Sequence, residues 1–154
     1  MARTDDLDLR ILSELAADAS ISVPKLSKKI NVNASVVYSR IKRLLRRGLI
    51  KKFTIVVNDE ALGFNVKALT GINMDSRMRD NVLNELFQIP EVREIAEVTG
   101  RFDILVTMNA QSLDEMHHLI SEKVGQVQGV QKTETFIEMR KTARELVYPT
   151  SVVK

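Results

Sequence analysis

The stretch SVPKLSKKINVNASVVYSRIKRLLRRGLI, residues 22–50, reads as two helices joined by a three-residue turn. Ser22 is an N-cap residue and Pro24 fits a first helical turn, with Val23, Leu26 and Ile30 on one side and Lys25, Lys28 and Lys29 elsewhere. Asn31-Val32-Asn33 breaks that periodicity: Asn31 tolerates the left-handed conformation that ends a helix, and Asn33 caps the next one. The next helix is predicted from Ala34 to about Arg47, closed by Gly48. At about 100° per residue, Ala34, Val37, Ile41, Leu44 and Leu45 cover one face, and Ser35, Val36, Ser39, Arg40, Lys42, Arg43, Arg46 and Arg47 spread over the other. The outward face is small and hydroxylated at its N-terminal end and basic at its C-terminal end, which suits a helix whose first residues reach base edges while later ones meet phosphates.

Working outward, Leu7, Ile11, Leu12 and Leu15 form one helical stripe preceded by Thr4 as N-cap, so a packing helix precedes the pair and ends near Asp18. Ile50, Phe53, Ile55 and Val57 alternate with polar positions and predict a strand leaving the helical unit, followed by a capped turn over residues 58–63. Charge separates the same two parts. Residues 1–57 hold 12 Lys+Arg against 5 Asp+Glu, and residues 58–154 hold 11 against 15. From Lys25 to Lys52 there are ten basic residues and no acidic one, a block that attracts polyanions.

The remaining composition excludes much. The chain has 154 residues, 44% hydrophobic and 28% charged, and holds no apolar run approaching the ~20 residues of a membrane span. The charged start, Met1 to Asp8, is unlike the apolar core of a secretory signal, so a soluble cytoplasmic protein is expected. Without cysteine, disulfides, thiolate metal sites and cysteine nucleophiles are excluded. The only imidazoles, His117 and His118, are adjacent and so diverge by about 100° on a helix, the wrong spacing for two metal ligands on one face. No phosphate-binding glycine loop, paired catalytic acids or nucleophile–base set is present, so neither an enzyme nor a bound cofactor or metal is expected.

From Phe64 the pattern becomes strand, helix, strand, strand, helix, strand: Val66–Met74, Arg77–Ile89, Val92–Val98, Phe102–Asn109, a helix capped by Ser112, and Val130–Met139. An internal repeat supports it. Phe87-Gln88-Ile89-Pro90-Glu91-Val92 parallels Gly125-Gln126-Val127-Gln128-Gly129-Val130, and Ile72-Asn73 with Ser76 parallels Met108-Asn109 with Ser112, offsets of 38 and 36 residues. The expected architecture is α+β: a winged-helix-like helix-turn-helix domain over 1–50, a linker strand and turn over 51–63, and a βαββαβ ferredoxin-like domain over 64–154. Both helices of that sheet cover one face. The other would expose Ile104, Val106 and Met108 or their alternates, and a second copy of the same sheet is its simplest cover.

The sequence resembles the Lrp/AsnC family of bacterial and archaeal transcription regulators along nearly its whole length. The likeness rests on Leu7-Asp8-Leu9-Arg10-Ile11-Leu12, Leu26-Ser27, Arg40-Ile41-Lys42-Arg43-Leu44, Gly48-Leu49-Ile50, Leu62-Gly63, Ile89-Pro90-Glu91-Val92, Val98-Thr99-Gly100-Arg101-Phe102-Asp103 and Gly129-Val130, in that order and spacing. Asn31 stands where such turns commonly have glycine, and Ser27 where the second helix commonly has alanine. The resemblance implies a DNA-binding domain linked to an effector domain that forms dimers and often tetramers or octamers and commonly senses amino acids. It also implies small-ligand binding near the glycine-containing hairpin after the second strand. There Gly100 lets backbone approach a ligand, Asp103 accepts from an ammonium group, Arg101 meets a carboxylate, and Phe102, Thr133 and Thr135 are further candidates by position. The plainer alternative is an ordinary hairpin in which Asp103 caps local backbone.

The expected function is therefore a sequence-specific regulator of double-stranded DNA that assembles with itself and responds to a small molecule. Ser35, Val36, Ser39 and Arg40 are expected to read bases; Lys42, Arg43, Arg46, Arg47 and Lys28 to hold phosphates. Two rivals are an architectural DNA-coating protein without effector and a small ferredoxin-like ligand-binding protein.

Overall fold

The computed structural model describes residues 4–143; the end of the expected effector domain, 144–154, lies outside them. The described residues fall into two compact units, one of residues 4–56 with Thr142 and Ala143, the other of Val57–Lys141. No helix among the described residues is long and apolar enough to cross a membrane.

The first unit holds three helices, α1 (Asp6–Ala17), α2 (Val23–Ile30) and α3 (Ala34–Arg46). Their apolar stripes meet in one core of Ile11, Leu15, Leu26, Ile30, Val37 and Leu44. The turn between α2 and α3 forms as its residues dictate. Asn31 takes the left-handed conformation at φ 54°, and Asn33 Oδ1 accepts from the Ser35 N–H at 2.9 Å. Ser27 is buried and donates its hydroxyl to the Pro24 carbonyl at 2.9 Å, so this side chain satisfies itself inside α2. Two expectations change. The N-cap of α1 is Asp5 rather than Thr4, because Asp5 and Asp8 form a reciprocal capping box: Asp5 Oδ1 accepts from the Asp8 N–H at 2.9 Å, and Asp8 Oδ2 from the Asp5 N–H at 3.3 Å. The strand expected over 50–57 does not form. A strand needs a backbone partner, none of the described strands pairs with this segment, and its Phe53, Ile55, Val56 and Val57 are exposed.

The second unit is βαββαβ, as the repeat predicts: β1 (Val66–Met74), α4 (Arg79–Phe87), β2 (Val92–Glu97), β3 (Ile104–Ala110), α5 (Leu113–His118) and β4 (Val130–Ile137). The strands form one antiparallel sheet in the order β2-β3-β1-β4. A short 3-10 turn, Ser76–Met78, precedes α4, and a π-turn, Leu119–Val124, follows α5. Ala68, Ile72 and Met74 of β1 and Ile104, Val106 and Met108 of β3 pack with Val82 and Leu86 of α4 and Met116 of α5. Ile104, Val106 and Met108 therefore lie under the helices, and their alternates occupy the other face. There Leu69 pairs with Phe136 on one side and with Thr107 on the other, and both Leu69 and Phe136 are exposed.

Candidate nucleic-acid interface and effector hairpin

In α3 the buried residues are Val37 and Leu44, so the helix turns the opposite side outward. Taking Val37 as zero, residues at about 100° per step place Tyr38, Lys42, Ser35, Arg46 and Ser39 across that outward side, and all five are exposed. Val36 is exposed on its far flank. Lys28 of α2 and Arg47 are exposed too; Arg47 Nη2 reaches the Thr4 hydroxyl at 3.3 Å. The Ser35 hydroxyl donates to Asn33 Oδ1 at 2.8 Å, leaving its oxygen as an acceptor at the start of the helix.

The structure places Arg40 and Arg43, expected from the sequence to read a base and to hold a phosphate, beside the carboxylates of α1. Arg40 sits beside the buried stripe and Arg43 on the flank near Val36, and both side chains turn to the start of α1. Arg40 Nη1 bonds Asp5 Oδ2 and lies 3.1 Å from Asp8 Oδ1; Arg43 Nη2 lies 2.6 Å from Asp8 Oδ2. The Asp8 side chain is fully buried, while those of Arg40 and Arg43 are 24% and 31% exposed. Two carboxylates and two guanidinium groups thus close a clamp between α1 and α3, while Lys42 and Arg46 on the outward face have no carboxylate partner among the described residues.

The clamp has a pH signature. Burial pushes the Asp5 carboxyl up, but the hydrogen bonds from Arg40 and the Asp8 backbone and the charges of Arg40 and Arg43 outweigh it and hold Asp5 below its ordinary value. A carboxylate depressed in the folded state stabilises the fold above its unfolded value, ~3.9, and the gain is lost as pH falls through the folded value. Asp75, held at about 2 chiefly by the hydrogen bond from the Arg77 side chain, acts in the same direction. The melting temperature is therefore expected to fall on acidification below about pH 4, and less steeply for Asp5→Asn than for the unmodified protein; parallel curves would exclude an Asp5 contribution.

In the second unit the hairpin between β2 and β3 lies against β1. Asp103 donates its N–H to the Ile72 carbonyl at 3.0 Å, accepts from the Val98 N–H at 3.0 Å through its carbonyl, and accepts from the Met74 N–H at 3.0 Å through Oδ2. Through that oxygen it ties the hairpin to the end of β1 rather than capping the hairpin's own backbone. Gly100 has φ +133°, a conformation that L side chains rarely adopt, with open space where a side chain would begin. Arg101 pairs with Glu134, and its carbonyl accepts from Asn73 Nδ2 at 2.9 Å. The Phe102 ring fills the space left by Gly71: a Cβ there would sit 2.5 Å from it. Since Gly71 and Glu134 are register partners, Arg101, Phe102 and Glu134 share the face not covered by the helices. Thr133 and Thr135 do not join them. They pair with Ile72 and Thr70, whose side chains turn to the helix-covered face, and the Thr135 and Thr70 hydroxyls lie 2.8 Å apart. Sequence reasoning missed Gly71 and Glu134; the first carried a signal, since glycine inside a strand marks a close approach, and the second carried none.

Comparison with known proteins meets this geometry on both units. Residues 4–51 match the winged helix-turn-helix DNA-binding model, and residues 67–147 match the Lrp/AsnC ligand binding domain. The chain belongs to the Lrp/AsnC family of transcriptional regulators. It is 35% identical over 136 residues to the HTH-type transcriptional regulator FL11 of Pyrococcus furiosus, covering 88% of this chain and 89% of the relative. It is 33% identical over 148 residues to the transcriptional regulator AzlB of Bacillus subtilis, covering 94% of each. Among solved structures it is similar to E. coli AsnC, with a TM-score of 0.86, 27% identity, and 94% and 98% of the two chains covered. It also shares the fold of a Neisseria meningitidis transcriptional regulator crystallised in complex with L-Met, with a TM-score of 0.90, 18% identity, and 97% and 99% covered. This Lrp/AsnC chain is thus a DNA-binding transcriptional regulator with a ligand-binding domain, and the α+β architecture read from its sequence is the one observed.

Proposed function

We propose that this regulator reads DNA through α3, with Ser35, Val36 and Ser39 at base edges in the major groove, Lys42, Arg46, Arg47 and Lys28 on phosphates, and Arg40 and Arg43 holding α3 to α1. The observation that carries this assignment is the outward placement of Lys42 and Arg46 behind a small, hydroxylated N-terminal end while the other two arginines are tied to carboxylates. A second copy covers the open sheet face at Leu69 and Phe136, beside a groove of about 370 Å³ lined also by Lys67 and Thr107. The protein works in the cytoplasm as a homodimer or a larger closed assembly, so two reading helices meet a roughly palindromic site.

The effector is an amino acid at the Gly100–Asp103 hairpin. Its carboxylate competes with Glu134 for Arg101, its ammonium group meets Glu134 or Asp103, and its side chain lies near Phe102. The L-Met bound to the Neisseria protein, which has the same fold, supports this ligand class. Binding shifts the assembly only insofar as the ligand prefers one arrangement over another. Titrating the twenty amino acids while following sedimentation and DNA affinity tests it: at least one is expected to change DNA affinity by roughly fivefold or more. Gly71→Ala places a Cβ 2.5 Å from the Phe102 ring and displaces it, so the response is expected to disappear while ligand-free DNA binding persists. Unchanged assembly and affinity with all twenty would exclude an amino-acid effector and favour the architectural rival, whose specific and nonspecific affinities are close.

A further inference from the structure

We infer that Tyr38 is a sequence-reading residue of α3, its ring held by Lys42 and packed against a thymine C5-methyl group in the major groove. The inference rests on α3 being the DNA-reading helix and adds to it a residue and a base feature.

Tyr38 is 52% exposed although it directly follows Val37, which is fully buried. The three-helix core leaves the ring outside, on the same side of α3 as Ser35, Ser39 and Lys42. It is not loose there. The Lys42 ammonium, one turn on at the i, i+4 spacing, lies 4.6 Å from the ring centroid, a cation–π contact along the helix surface. That contact orders the ring in the free protein, which lowers the entropy lost when a ligand covers it. It also couples two roles, since the cation beside the ring is the one assigned to a phosphate.

A half-exposed aromatic ring in the N-terminal half of a reading helix faces base edges, and the chemistry selects among them. The C5-methyl of thymine is the one alkyl group a standard base pair presents in the major groove, set among hydrogen-bond donors and acceptors. An apolar ring surface therefore favours a T·A pair over pairs that would leave a donor or acceptor desolvated against it. Val36, exposed on the opposite flank of the same face, is a second apolar contact, so the hydroxyls of Ser35 and Ser39 lie between two apolar groups.

Uracil in place of thymine deletes only this methyl group and supplies the test. On the duplex selected by the unmodified protein, each thymine is replaced in turn by uracil, and affinities are measured at one salt concentration for the unmodified protein, Tyr38→Phe and Tyr38→Ala. At one thymine per half-site, uracil is expected to weaken the unmodified protein and Tyr38→Phe by roughly five- to tenfold and Tyr38→Ala by less than about twofold. The ring points outward, so equal melting temperatures of the three proteins are expected and separate this effect from misfolding. Insensitivity of the unmodified protein to uracil at every position, or full sensitivity retained by Tyr38→Ala, overturns the assignment while leaving α3 as the reading helix. Failure of the unmodified protein to select any duplex overturns both.

Discussion

Asp8→Ala is expected to remove about 2–3 kcal/mol from the stability of the N-terminal unit. Breaking a buried ion pair by deleting one partner costs about 3–5 kcal/mol, and the partial exposure of Arg40 and Arg43 discounts that figure because water recovers part of each freed charge. Three interactions disappear together: the bonds from Arg40 and Arg43 and the acceptor for the Asp5 N–H. Urea unfolding of the whole chain, followed by a probe of the helical unit, measures it. A double-mutant cycle with Arg43→Ala is expected to show non-additivity, since the second substitution removes an arginine that has already lost its partner. Losses within about 0.5 kcal/mol, the range of ordinary surface substitutions, would mean that the clamp contributes little.

The second large effect is on DNA. Replacing Lys42 and Arg46 together by alanine is expected to weaken binding to every sequence, roughly 10- to 100-fold at moderate salt, with an added loss confined to sites that carry the thymine Tyr38 contacts. The slope of log affinity against log salt is expected to fall by about two, because each phosphate contact contributes close to one unit. Arg43→Ala makes the contrast: it carries the same charge change as either single substitution, yet it is expected to leave the slope unaltered and to act through stability. A slope lowered equally by Arg43→Ala and by Lys42→Ala would mean that the clamp opens on DNA and that charge count alone governs binding.

That contrast marks where the sequence stops being legible. The ten basic residues from Lys25 to Lys52 are alike by charge, and the 100° rule separates them only by degrees. What distinguishes Arg40 and Arg43 is that they share the three-residue spacing of Asp5 and Asp8, and that match is visible only once α1 and α3 are known to touch. The same limit applies at residues 50–57, where alternation records apolar character but a strand exists only with a backbone partner. Thr133 and Thr135 show a third form of it: position along β4 was readable, but which face they occupy followed from register with β1. The βαββαβ order was readable because it needs only local periodicity and a repeat. The π-turn Leu119–Val124 has no such local signal.

Selection of bound duplexes from a random pool at fixed ionic strength tests the reading role of α3 most directly. The account predicts enrichment of a roughly palindromic site with half-sites about one helical turn or a multiple of it apart, bound about 10³-fold or more tighter than the unselected pool. Binding that stays within a few-fold across the pool, or no binding at moderate salt, would contradict it.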